Sequence, residues 1–432
     1  MLILVTGATG YIASRLIPQL LDHGHTVRAL ARHPHQIGPR NWSSQISIFQ
    51  GDVMDPASIA PALKDVHTAY YLIHNMSSGH GYTKLELQAA RNFALATEQA
   101  GVQHIIYLGG LADPEQHIAP HMRSRIETGV TLREGKVPVT EFRAGVIAGT
   151  GSISFEMIRF MTELLPIIPG PKWLKNKTQP IAIQNVIDYL LAALDNKAGQ
   201  GQIFEIGGPQ ITTYQDLMLR YAHIRGHKRS FLLLPYVPVW FMAFGIGLAT
   251  PVPRLIAYAL VGGLSSDSVI MHNDARKIYP EVNLIDYESA TKDALSRLHP
   301  LKIERVWDNG EDRPKTLKHE GFFINQREIK LNSVPAKIFA CITSFKMQRF
   351  IVDTVESDQM LLLQSDHRIF GEGWVEWNVA RTNDPIYTRL TQAIYFTPRG
   401  PAGFLYWLLF YLFQWLTFYR LTAYITKKSK NK

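Results

Sequence analysis

Apolar residues in the first 150 positions come as short unbroken runs separated by stretches at helical spacing. Leu2–Val5 has no polar side chain, the pattern of a strand buried on both faces. It runs into Thr6-Gly7-Ala8-Thr9-Gly10-Tyr11-Ile12-Ala13. A helix over Ser14–His23 follows, stopping at Gly24. The same alternation continues with strands at His25–Arg32, Ile46–Gln50 and Thr68–His74, then a helix at Ala89–Ala100 and a strand at His104–Leu108. A helix at Arg123–Gly135 leads to a strand at Val137–Val146. This alternation of strands and helices predicts an α/β fold with a doubly wound parallel sheet.

Beyond residue 200 the pattern changes. Thr212–Tyr221 has a hydroxyl N-cap candidate and helical spacing. Residues 231–253 carry no charge, long enough for a membrane span by length alone. Pro235, Pro238, Pro251 and Pro253 interrupt that run, so the expectation is a buried or interfacial helix in a small hydrophobic substrate lobe. A charged stretch at Lys302–Lys318 marks the next boundary. Strands at Gly321–Leu331, Met360–Val379 and Tyr387–Phe396, with a helix at Pro335–Thr343, precede an apolar helix at Ala402–Tyr419. The expected division is 1–230, 231–300 and 301–432, the last an α+β domain.

Composition narrows the class. With 432 residues, 46% hydrophobic and 19% charged, the chain has enough apolar material for two or three cores. Net charge is +9, and Arg420, Lys427, Lys428, Lys430 and Lys432 lie in a final stretch without acids. That asymmetry points to a membrane surface rather than nucleic acid, for which no motif is visible. The helix at 402–419 is thus open to three readings: buried in the domain, lying in a membrane interface, or spanning it. The single cysteine, Cys341, excludes an internal disulfide. The first apolar run is already the first strand, so no cleavable leader is expected. Together these place the chain in the cytoplasm, at the inner face of a membrane.

The glycine turn carries the first chemistry. Gly7 permits a tight turn, Gly10 removes a Cβ where a pyrophosphate approaches the backbone, and Ala13 lets helix pack on sheet. Thr6, Gly7, Thr9, Gly10, Tyr11 and Ile12 are the candidate phosphate-binding residues of a dinucleotide site, with the helix N-terminus facing the anion. Sites for NAD commonly end the second strand with an acid. Here Arg32 stands there, Arg28 is near, and no carboxylate occurs between Asp22 and Asp52. A guanidinium suits a 2′-phosphate, so NADP is favoured and NAD is the second choice. Asp52 and Val53 follow the third strand, to touch adenine or form a plain turn. Leu72, Ile73 and the residues through Asn75 should close over the cofactor.

Several segments together resemble an atypical short-chain dehydrogenase/reductase of the extended, NmrA-like kind, fused to a C-terminal domain of unknown function. They are Tyr107-Leu-Gly-Gly-Leu111, His121-Met-Arg-Ser-Arg-Ile-Glu127, Phe142-Arg-Ala-Gly-Val-Ile-Ala-Gly149, Thr178-Gln-Pro-Ile-Ala-Ile183 and Ile206-Gly-Gly-Pro209. The resemblance covers residues 1 to about 300 strongly and the remainder loosely.

Family members use a Ser-Tyr-Lys set, in which tyrosine passes a proton and lysine lowers its pKa. This chain departs from it: His121 and Arg125 occupy the helical offset, and Gly109 or Gly110 the serine position. The resemblance implies His121 as proton donor and Arg125 as cationic partner, against a surface salt-bridge set as the plain alternative. It also implies that Arg143 contacts substrate or buttresses a loop, and that Gln179 faces the nicotinamide end. For the C-terminal part it implies a helix-grip, START-like architecture, shortened between Phe345 and Phe350. The resulting expectation is an NADPH-dependent oxidoreductase for a hydrophobic quinone, isoprenoid or acyl-type substrate near a membrane. The alternative is a dinucleotide-binding sensor or scaffold without turnover.

Overall fold

The computed structural model describes residues 1–430 except 39, 75–81, 114–117, 236, 251, 253, 303–305, 308–317, 320, 345–349, 367–369 and 383–385. The chain forms two compact units. One comprises Met1–Arg159 with Ile167–Arg305, the other Phe160–Pro166 with Val306–Lys432.

The first unit is built on strands β1 (Leu2–Thr6), β2 (Thr26–Ala31), β3 (Ser47–Gln50), β4 (Thr68–Tyr71), β5 (His104–Gly110) and β6 (Val139–Ala144). A seventh strand, Ile203–Ile206, joins beyond β6. All seven pair in parallel, in the order Ile203–Ile206, β6, β5, β4, β1, β2, β3. The order reverses between β1 and β4, which opens a crevice at their carboxyl ends where doubly wound sheets bind ligands.

Helices α1 (Tyr11–Asp22), α2 (Pro56–Leu63), α3 (Tyr82–Gln99) and α4 (Pro120–Arg133) connect these strands. On one face Leu16, Ile17 and Leu20 of α1 join Val186 and Leu190 over Ile3, Val5 and Ala29. On the other, Ile59, Leu63, Ala90 and Phe93 cover Leu4, Ala69 and Ile105. Two covered faces explain why the strands read as apolar runs rather than as alternation.

Some boundaries differ from the sequence expectation. α1 starts at Tyr11, because Gly10 is the extended cap residue, and ends where Gly24 takes a φ of +77°. The strand expected through His74 stops at Tyr71, and Leu72–His74 leave the sheet. Asn75 lies outside the described residues. The uncharged run 231–253 is no single helix. It forms a strand at Ser230–Leu234 and a helix at Val239–Ala249, followed by a second helix at Arg254–Gly263. Pro238 caps the first of these helices, where its fixed φ and missing N–H are tolerated.

The second unit holds a five-stranded antiparallel sheet in the order Phe323–Leu331, Thr388–Pro398, Gly371–Arg381, Met360–Ser365, Phe350–Glu356. Its core joins Ile338 and Ile342 of the helix Pro335–Ser344 to Leu363, Trp377 and Leu390 of the sheet, and to Leu421 and Ile425. The last helix therefore runs from Gly400 to Lys430 rather than stopping at Tyr419. Leu421 and Ile425, four apart, keep an apolar stripe going through the charged tail. Among the described residues no helix is long and apolar enough to cross a membrane.

Candidate functional site

The turn after β1 brings chain segments closer than any side chain would allow. Gly7 has a φ of +64°, and a Cβ there would lie 2.5 Å from the Leu72 carbonyl oxygen. A Cβ on Gly10 would lie 2.9 Å from the Gly7 carbonyl oxygen. The Gly10 N–H donates to that same oxygen (2.8 Å), closing the turn. α1 has neither a side-chain cap nor an acid in its first turn, so its amino end is left to accept an anion. A dinucleotide pyrophosphate fits this cradle.

The other expected cofactor residues fall into two groups. Thr6 is fully buried and donates its hydroxyl to Tyr70 O (2.9 Å), tying β1 to β4. Ile12 packs on the core, and Tyr11 lies under the Arg15 guanidinium, 3.8 Å from its ring centroid. For these three the side chains serve the fold, and only backbone faces the turn. Arg32 is exposed at the end of β2 and has no side-chain partner among the described residues. Arg28 is committed elsewhere: it donates to Ala62 O (3.1 Å) and to Lys64 O, at the end of α2. It is therefore a helix C-terminal cap, not a phosphate ligand. Asp52 accepts from the Met54 N–H (2.9 Å) in its own turn, and Val53 is buried in the core. Arg40, not singled out from sequence, donates to Thr9 O (3.4 Å) on the phosphate turn and lies 5.5 Å from the Trp42 ring centroid.

At the carboxyl ends of β4 and β5 a second set of side chains meets. His74 donates from Nδ1 to Glu86 Oε1 (2.8 Å) and accepts at Nε2 from Arg125 Nε (3.2 Å). The Ser124 hydroxyl also donates to Glu86. With both ring nitrogens so used, His74 is the neutral tautomer. Its pKa is lowered, first by burial and next by the Arg125 charge, while Glu86 opposes the shift. The terminal nitrogens of Arg125 make no hydrogen bond among the described residues. Gly110 ends β5 beneath this arginine: a Cβ there would come within 2.9 Å of Arg125 Cδ and 2.7 Å of Met122 Cε. Glycine at this position thus makes room for the arginine.

His121 does share α4 with Arg125, but it is only 4% exposed. A Cβ on Gly263 would stand 2.8 Å from its Cε1 and 3.0 Å from its Nε2, so helix Arg254–Gly263 covers the ring. Burial, assisted by the Arg125 charge, pushes its pKa down to about 3. At neutral pH the ring is uncharged, which argues against an imidazolium donor at this position.

Arg143 is bound by Glu141 (Nε to Oε1, 2.7 Å), a fully buried carboxylate that also accepts from Arg133. The contact is a local buttress. Gln179 donates to Gly208 O (2.7 Å) and accepts from Ile270 N–H (3.2 Å), beside a cavity of about 110 Å³ lined by Glu205, Asn273 and Arg276. It holds loops together there.

His74 and Glu86 escaped the sequence reading because 51 residues separate His74 from Arg125. One signal was available. Glu86 falls in register with Ala90, Phe93 and Thr97 on the buried stripe of α3, where an unpaired carboxylate would be costly. Among the described residues no group of histidines, cysteines and acids could hold a metal ion.

Comparison with known proteins agrees with the geometry. Residues 7–128 match a family described as NAD(P)H-binding. Cinnamoyl-CoA reductase 1 from Oryza sativa is 28% identical over 112 residues, 24% of this chain and 33% of that protein, so the match spans about a third of its length. A (4-alkanoyl-5-oxo-2,5-dihydrofuran-3-yl)methyl phosphate reductase from Streptomyces griseus is 25% identical over 242 residues, covering 53% of this chain and 76% of that one. Among solved structures, an NADPH-dependent quinone oxidoreductase from Escherichia coli, complexed with NADPH, superposes with a TM-score of 0.54 at 19% identity. That superposition covers 67% of this chain and 98% of the other. At that identity it shows a shared fold. The first unit of this chain is a Rossmann-type α/β domain whose residues 7–128 form an NAD(P)H-binding segment.

Proposed function

We propose that this protein is an NADPH-dependent reductase of a hydrophobic acceptor, of quinone type, working at a membrane surface. The observation that carries the reading is Arg125, held by His74 at the end of β4 and seated over Gly110 at the end of β5. When bound, the nicotinamide cofactor supplies a hydride. The glycine turn and the amino end of α1 would hold its pyrophosphate, while exposed Arg32 and Arg40 on the turn would meet the 2′-phosphate.

The Arg125 terminal nitrogens would bind an acceptor oxygen and stabilise the negative charge that hydride addition creates. Neutral His74 and neutral His121 are poor proton donors of the tyrosine–lysine sort. A simple ketone needs a proton in step with the hydride, whereas a reduced quinone is a weakly basic phenolate that water can protonate. Among the described residues His74 and His121 are the histidines beside Arg125 and neither is a tuned acid, which favours quinone-like acceptors over ketones. One of the solved structures that share the fold is an NADPH-dependent quinone oxidoreductase, which is in keeping with this reading.

For the second unit, we take the sheet with its covering helices as a helix-grip-like domain that gives the membrane contact. Leu405, Leu408, Leu409, Trp415 and Tyr419 are exposed on its last helix, and Arg420, Lys427 and Lys428 follow.

The test is NADPH oxidation by the full chain with a water-soluble quinone and with a simple aldehyde. Quinone turnover that falls roughly 10- to 100-fold in Arg125→Gln, with NADPH affinity kept, is the expected result. Tight NADPH binding with no turnover of either acceptor would instead establish the sensor role.

A further inference from the structure

We propose that the cavity at the carboxyl end of the strand Ile203–Ile206 is a second small-molecule site, one that takes a small zwitterion of the α-amino-acid class. The proposal does not depend on the reductase reading.

The cavity, of about 110 Å³, lies beside Gly207 and Gly208, where the outermost strand of the parallel sheet ends. It sits on the face that α1 covers: Tyr189, Ala275 and Leu284 of its wall pack in the core that holds Leu16 and Leu20. Leu132 of α4, the helix that carries Arg125, belongs to the core on the opposite face. The lining shares no residue with the phosphate turn or with the Arg125 cluster. Its wall keeps polar groups that the fold does not use. Glu205, only 9% exposed, accepts the Met271 and His272 N–H groups at Oε2 (2.6 and 3.1 Å), while Oε1 makes no hydrogen bond among the described residues. The Tyr189 hydroxyl, on a side chain 1% exposed, makes none either. Arg276 is exposed at the rim, and its guanidinium has no hydrogen bond or ion pair among the described residues. Burial raises the Tyr189 pKa and the Arg276 charge opposes that shift, so these two groups are near one another. Gln179, by contrast, is spent at both ends, on Gly208 O and the Ile270 N–H. A buried carboxylate oxygen and a buried hydroxyl left over on one wall call for an occupant.

Charge and size decide what fits. Glu205 and Arg276 line one cavity yet form no ion pair with each other. A simple anion there would meet the buried carboxylate, and a simple cation would meet the guanidinium. A molecule with an ammonium at one end and a carboxylate at the other satisfies both. Its ammonium donates to Glu205 Oε1, and its carboxylate accepts from Arg276 and from the Tyr189 hydroxyl, in charge-assisted hydrogen bonds. A cavity of roughly 150 Å³ encloses benzene, so this one admits about five or six non-hydrogen atoms, the size of glycine or alanine.

The experiment is a ligand-observed NMR titration of the full chain with glycine and with alanine, beside acetate, methylammonium and acetamide, which carry one charge or none. The inference expects saturable binding of both amino acids, with acetate and methylammonium weaker by at least about tenfold. Glu205→Gln and Arg276→Ala should each weaken amino-acid binding roughly tenfold, with an unchanged circular dichroism spectrum as the check on folding. If Glu205→Gln does not fold, Arg276→Ala, at an exposed side chain, decides. No saturable binding of either amino acid would leave the cavity to water and overturn the inference. So would acetamide bound as tightly as glycine, which would make this a neutral amide site. Amino-acid binding that neither variant weakens would place it elsewhere on the protein and overturn the inference equally.

Discussion

The two ends of the crevice work by different means. At the phosphate end the function belongs to the backbone: Gly7 and Gly10 admit close chain approach, and α1 presents its amino end uncapped. At the ends of β4 and β5 the candidate site is made of side chains from three separate segments, His74, Glu86 of α3 and Ser124 and Arg125 of α4, which position one another. A backbone site tolerates change in its neighbours and fails only when its glycines gain bulk. A side-chain site is sensitive at every member, because removing one strands its buried partners.

The largest effect should come from breaking the backbone end. Gly7→Val forces a β-branched residue into a positive φ with its Cβ against the Leu72 carbonyl. Calorimetric titration should show NADPH affinity reduced by at least about 100-fold, and Gly10→Asp should do the same by adding charge at the phosphate position. Unchanged affinity in both would remove the turn from cofactor binding.

At the other end, Glu86→Leu takes the acceptor from Ser124 and His74. The expected cost is about 3 kcal/mol of folding stability, read from the denaturation midpoint, with a smaller cost for Glu86→Gln. A loss as small as that of an exposed substitution would mean that the network is not a unit.

A smaller, selective effect is expected at the rim of the phosphate end. Arg32→Glu should weaken NADPH by about tenfold and NADH by much less, since only NADPH carries the 2′-phosphate. Equal weakening of both would assign Arg32 no role in that choice. The same pair of titrations on Arg40→Gln tells whether the cation on Thr9 shares the work.

The gentlest probe is pH. His121 and His104 are lowered from the ordinary 6.5 to about 3 and about 4, both mainly by burial. On acidification the unfolded chain takes up these protons before the folded one does. Stability from these histidines is therefore complete above about pH 6.5 and falls as the pH drops towards 4 and then 3. The slope is about 1.4 kcal/mol per pH unit for each histidine. His121→Gln should make the decline shallower; an unchanged slope would mean that the ring is not held neutral.

What the sequence by itself determined is everything that local spacing encodes. Unbroken apolar runs at β1, β4 and β5 specified a sheet covered on both faces. The Gly7–Gly10 turn specified its phosphate end, and the uncharged run 231–253 announced an apolar lobe broken by prolines. The last helix was legible only to Tyr419, because its continuation rests on Leu421 and Ile425 meeting a core made by strands far away in the chain. Tertiary structure alone decided that Arg28, on β2, caps α2 while Arg32, just past the end of the same strand, stays exposed. It also decided that His121 lies covered by Gly263 and that Arg125 is held by His74. Propensity and periodicity act over a few residues, whereas burial, charge partners and pKa depend on segments that only the folded chain brings together.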